Sequence, residues 1–104
     1  MEDDITMKEI TAKEVESFIN KGKVLNIIDV REVDEVAEEK IAGAVNIPLG
    51  HIEFRMDKLD KTKEYIMVCR SGGRSGRATE FLESQGYDVI NMQGGMLSWK
   101  GKVG

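Results

Sequence analysis

Two rhythms of apolar residues run along the chain. Val24-Leu25-Asn26-Ile27-Ile28-Asp29-Val30 is apolar almost throughout, the pattern of a strand covered on both faces of a parallel sheet. Ala44-Val45-Asn46-Ile47, Tyr65-Ile66-Met67-Val68 and Tyr87-Asp88-Val89-Ile90-Asn91-Met92 read as three more strands, and Met7-Lys8-Glu9-Ile10 as a short edge strand. Between them the spacing becomes helical. Thr11 followed by Glu14 has the form of a capping box; Val15, Phe18 and Ile19 then share a face, and Gly22 ends the helix. Val33, Val36 and Ala37 predict a short amphipathic helix in the acid-rich stretch Val33 to Lys40, its charges a solvated face. Pro48 stops the strand before it, and Ile52, Phe54 and Met56 predict a short helix within Leu49 to Leu59. Ala78, Phe81 and Leu82 predict a helix from Ser75 to about Gln85, with Gly86 just past its end. Gly94-Gly95 turns the chain after the last strand, and Met96, Leu97 and Trp99 are expected to pack a final short helix onto the sheet. Strands alternating with helices predict an α/β fold.

Length changes this picture little: 104 residues suit one compact domain, 1–104, with residues 1–4 and 100–104 expected as mobile tails. A net charge of −4 argues against a nucleic-acid or anionic-membrane surface. No apolar run approaches the ~18 residues of a membrane span, and Met1-Glu2-Asp3-Asp4 is acidic where a signal peptide is basic, so a cytoplasmic location is expected. A single cysteine makes no internal disulfide. His51 and Cys69, the sole histidine and cysteine, lie in separate segments that make no metal-ligand set, and no motif pairs them for papain-like hydrolysis. No metal or cofactor is expected, and His51 is expected as a surface or loop-packing residue.

The chemistry concentrates where the central apolar run stops. Cys69 ends it, and Arg70-Ser71-Gly72-Gly73-Arg74-Ser75 leads into the next helix. A strand delivering a thiol into a glycine-containing loop that opens a helix sets the sulfur where unpaired N–H groups converge. Such a pocket holds an anion. Gly72 and Gly73 allow positive φ and close approach of those groups. Only the thiolate is a good nucleophile, and a free cysteine near pKa ~8.5 is mostly protonated at neutral pH. Lowering it by roughly two units takes about 2.7 kcal/mol. A helix N-terminus supplies up to ~2 kcal/mol, and Arg70 or Arg74 supplies the rest where a guanidinium turns toward the sulfur. Asp29 and Arg31 lie at the C-terminal end of a predicted strand, where open α/β sheets place ligands. Arg31 helps attract an anion there, or Asp29, Arg31 and Glu32 tie loops together through charge-assisted bonds; the second role is preferred. Arg77 and Glu80 belong to the exposed side of their helix.

Four stretches resemble the rhodanese family, and specifically its single-domain sulfurtransferases: Asp29-Val30-Arg31-Glu32, Ile41-Ala42-Gly43-Ala44-Val45-Asn46-Ile47-Pro48, Cys69 to Ser75, and Gly94-Gly95-Met96-Leu97-Ser98-Trp99. They stand in the family's order and cover nearly the whole chain. The resemblance implies a three-layer α/β fold with a mostly parallel, five-stranded central sheet flanked by helices. It implies that Cys69 takes a sulfane sulfur from a small anionic donor such as thiosulfate, becomes a persulfide cradled by Arg70, Ser71, Gly72, Gly73, Arg74 and Ser75, and passes the sulfur to cyanide, a thiol or a sulfur-accepting protein. Asp29 and Arg31 then serve as support. Lys40 stands where rhodaneses commonly have a histidine. Two other readings use the same loop. Arsenate reductases and phosphatases also bind an oxyanion in such a nest, but these phosphatases place five residues between cysteine and arginine, where Cys69 and Arg74 have four, and no second cysteine is present. A partner-binding module without catalysis is the third reading, and an intact cysteine loop argues against it.

Overall fold

The structure, a computed structural model, describes residues 7–104; the expected tail at Met1 to Asp4 lies outside them. Five strands form one sheet: β1 (Glu9–Thr11), β2 (Asn26–Asp29), β3 (Val45–Asn46), β4 (Glu64–Val68) and β5 (Asp88–Gln93), in the spatial order β1-β5-β4-β2-β3. Every pairing between them is parallel, so the sheet is more uniform than the mostly parallel one expected. Their C-terminal ends therefore share one edge of the sheet, where ligands bind in open α/β folds. The described helices do not include one long and apolar enough to cross a membrane.

Helices cover both faces, and the two-residue strand period decides which side chain meets which layer. Ile27, Ile66, Val68 and Met92 pack on one side with Ala12 and Val15 of α1 (Ala12–Asn20) and with Met96 and Trp99. Ile28, Met67, Cys69 and Val89 point the other way, onto Ala78 and Leu82 of α4 (Gly73–Ser84) and Ile52 of α3 (Ile52–Arg55). Helix α1 starts as its sequence predicts, with both capping-box bonds of Thr11 and Glu14 formed.

Several details differ from the pattern. The β2 ladder begins at Asn26, opposite Tyr65, so Val24 precedes any partner strand and is 93% exposed. Helix α2 (Val33–Glu38) forms but buries none of its residues. Helix α4 starts at Gly73, two residues before Ser75, because Gly72 in the left-handed region is its N-cap. The final turn is a 3₁₀ helix, Gly95–Ser98, that packs Met96 inward and leaves Leu97 65% exposed. At the end of the chain, expected as a mobile tail, Val103 pairs with Ile41 in an antiparallel bridge, and Lys102 O accepts from Trp99 Nε1 at 3.1 Å.

The 3₁₀ turn does more than close the fold. Met96 N–H donates to Cys69 O at 2.8 Å and Leu97 N–H to Arg70 O at 3.0 Å. Gly95, at φ +56°, passes so close that a Cβ there would overlap both carbonyl oxygens. Gly95→Ala is expected to cost about 2–4 kcal/mol through backbone overlap and to distort the loop after β4. A urea denaturation midpoint lowered by less than a surface substitution such as Arg77→Ala would contradict this packing.

Candidate active site

Cys69 follows β4, on the face shared with Met67 and turned toward α4. It is 1% exposed. The loop from Arg70 to Ser75 folds around its sulfur. Gly72 adopts φ +106°, a conformation that glycine reaches without strain, and its N–H donates to Cys69 Sγ at 3.0 Å. Gly73 is helical and uses no positive φ, so that part of the expectation for the two glycines applies to Gly72 alone. Ser75 Oγ lies 3.3 Å from Cys69 Sγ. Burial is the largest influence on the thiol and pushes its pKa up. The hydrogen bonds of the Ser75 hydroxyl and of the Ser75, Gly72 and Ser71 amides together outweigh it and leave the pKa below the ordinary cysteine value. These amides belong to the tight turn and to the first turn of α4, whose N–H groups have no partner within the helix.

The arginines divide their work. Arg74 turns to Glu35 of α2 in a two-point pair, Nη1 to Oε1 at 2.7 Å and Nη2 to Oε2 at 2.9 Å. Its charge is thus largely matched by a carboxylate. Arg31 and Asp29 form a buried pair in which Nη2 is 2.8 Å from Oδ2. The same Nη2 donates to Glu39 O at 2.6 Å, so Arg31 also holds the carbonyl of the residue that caps the C-terminal end of α2. Asp29 and Arg31 therefore stand beside the loop as a brace and do not touch the sulfur's donors. Arg70 is exposed and lines a cleft of about 180 Å³ beside the loop, with Glu38, Glu39 and Leu97 among its walls. His51 is exposed in the 3₁₀ turn Leu49–His51.

Two polar residues of this site escape a sequence reading. Glu35 looks like one more acid on a solvated helix face and carries no signal of its own. Asn91 does carry one: it is a polar residue in the apolar strand Val89-Ile90-Asn91-Met92. It lies opposite Met67 in the β4–β5 register, on the Cys69 face, and is buried. Asn91 Oδ1 lies 2.5 Å from Ser75 Oγ, and Asn91 Nδ2 lies 3.2 Å from Gly72 O.

The Arg74–Glu35 pair makes stability depend on pH. Bonding to Arg74, then to the Glu32 amide, pulls the Glu35 carboxyl from 4.5 down to about 2. A depressed carboxylate pKa stabilises the fold fully above the ordinary value of 4.5 and loses that contribution as pH falls from there toward 2. Glu35→Gln should accordingly lose about 1 kcal/mol at neutral pH, given a partly exposed two-point pair, and the gap to the parent protein should close below pH 4.5. Urea titrations across this range check it; a gap that is constant with pH would assign the effect to packing.

The geometry has counterparts among known proteins. A model of the Rhodanese-like domain matches residues 11–102. YtwF of Bacillus subtilis (strain 168) is 44% identical over 97 residues, which cover 93% of this chain and 94% of that protein. Thiosulfate sulfurtransferase GlpE of Coxiella burnetii is 31% identical over 94 residues, 89% of this chain and 87% of that one. The crystal structure of a rhodanese-like domain protein from Staphylococcus aureus superimposes with a TM-score of 0.87 at 35% identity, covering 92% of this chain and 94% of that one. With its parallel sheet, its cysteine loop and a family match over nearly its whole length, the chain belongs to the rhodanese-like domain family.

Proposed function

We propose that this protein is a sulfurtransferase that carries a sulfane sulfur on Cys69, from a donor such as thiosulfate to a thiophilic acceptor. The observation that carries the proposal is the convergence of the Gly72 amide and the Ser75 hydroxyl on a buried sulfur, backed by the amides of Ser71 and Ser75. The relative named as a thiosulfate sulfurtransferase supports the choice of donor.

In the first half-reaction the Cys69 thiolate attacks the outer sulfur of thiosulfate. A new S–S bond forms, the bond between the two donor sulfurs breaks, and sulfite leaves with its electron pair. The product is a persulfide whose terminal sulfur is anionic. The Gly72 N–H, fixed 3.0 Å from Cys69 Sγ, stabilises the charge of the thiolate that attacks the donor and of the thiolate that is released in the second half-reaction, as an oxyanion hole stabilises oxygen. In the second half-reaction cyanide or a thiolate takes the terminal sulfur, leaving as thiocyanate or as a new persulfide, and the Cys69 thiolate is restored. Two half-reactions through a covalent intermediate give ping-pong kinetics. Arg70 receives the anionic donor, because Arg74 is already engaged by Glu35. Compared with phosphatase or arsenate chemistry, the four-residue spacing of Cys69 and Arg74 makes a tight ring suited to one sulfur.

Mass spectrometry of the intact protein after exposure to thiosulfate tests this. A gain of one sulfur atom is expected, absent in Cys69→Ser and removed by cyanide. An unmodified thiol, together with phosphate release from a model ester, would instead support the oxyanion chemistry.

A further inference from the structure

Asn91 makes two bonds whose directions are fixed by chemistry. The Gly72 carbonyl can only accept, so the Asn91 amide nitrogen, 3.2 Å away, must be the group that faces it. Asn91 Oδ1 then faces Ser75 Oγ at 2.5 Å. An amide oxygen cannot donate, so the single hydroxyl proton of Ser75 goes to Asn91. The Ser75 oxygen is at the same time 3.3 Å from Cys69 Sγ and 3.3 Å from Gly72 O, both longer than its contact with Asn91. While Cys69 is a thiol and this proton is directed at Asn91, the Ser75 oxygen offers the sulfur a lone pair; it becomes a donor to the sulfur only toward the thiolate. A lone pair accepts from a protonated thiol and repels a thiolate.

We propose that Asn91 is a positioning residue that sets the direction of the Ser75 O–H: the hydroxyl bonds to Asn91 while Cys69 is a thiol and swings to the sulfur when it is charged. On ionisation the S–H bond breaks, its proton leaves to water, and the Ser75 O–H exchanges its Asn91 acceptor for the sulfur. The backbone donors cannot turn in this way, so the hydroxyl is the adjustable member of the set. All three side chains are at most 3% exposed, which leaves the exchange free of competing solvent. The charged groups around the loop are Arg70 and Arg74 on it, Glu35 of α2, which takes up Arg74, Glu32 before that helix, Glu38 and Glu39 at its end, which line the cleft with Arg70, and the Asp29–Arg31 pair at the end of β2. The 3₁₀ turn Gly95–Ser98 carries no charged residue. The inference rests on the sulfur-transfer proposal only for its part in turnover, where each cycle returns Cys69 to the thiolate.

Asn91→Ala frees the hydroxyl for the sulfur. Titration of the ultraviolet thiolate absorbance in the free protein should then show a lower midpoint, with roughly tenfold more thiolate at a given pH below it, the size of one hydrogen bond to a charged group. In a Ser75→Ala background, Asn91→Ala should leave the midpoint unmoved. Gly72 O keeps its bond from Gly76 N–H at 3.0 Å in either variant. Asn91→Leu, which keeps asparagine's branched heavy-atom skeleton and removes its polar atoms, gives the same readout where the smaller side chain does not fold. An unmoved midpoint in the folded single variant, as when the freed hydroxyl turns to Gly72 O, overturns the proposal, and so does a shift that persists without Ser75. The titration uses neither donor nor acceptor, so its result is independent of whether thiosulfate loads the parent protein with sulfur.

Discussion

The site depends on where two carbonyl groups point. In a planar trans peptide the C=O and the following N–H lie on opposite sides. The oxygens of Cys69 and Arg70 are drawn outward by the Met96 and Leu97 amides. The N–H groups of Arg70 and Ser71 must then face the other way, into the loop, and the Ser71 amide is among the donors that favour the thiolate. Gly95 makes this possible, since nothing larger lets the two backbone segments come so close. The cradle is therefore built by two stretches of chain more than twenty residues apart, and the Cys69 loop alone does not determine it.

A second set of contacts fixes the other side. Asp29 neutralises Arg31, Arg31 binds the Glu39 carbonyl that follows α2, and α2 presents Glu35 to Arg74 at the start of α4. This sequence of contacts explains why α2 holds its place without a buried residue. Charge-assisted bonds with defined directions do there what apolar packing does for α1. It also separates the two loop arginines, one spent on architecture and the other left at the surface.

Much of this was legible from residue patterns. Thr11 with Glu14 marked the start of α1, the apolar runs marked the strands, and a thiol between a strand and a glycine-containing loop marked the candidate site. These signals are local, because each depends on residues within one turn or one strand. What they missed is set by partners distant in sequence. Val24 is as apolar as its neighbours, but the ladder with β4 starts only at Asn26. Leu97 points outward because the two carbonyls fix the rotation of its turn. Val33 is exposed because charges orient α2. Glu35 and Asn91 acquire meaning only once Arg74 and Ser75 have been brought to them.

The near-complete burial of Cys69 has one more consequence. Its sulfur sits inside a ring whose rim is peptide backbone, and backbone pinned on both sides yields little. In the proposed sulfur transfer, it is then the donor's terminal atom that meets this sulfur, while the bulk of the donor stays outside the loop.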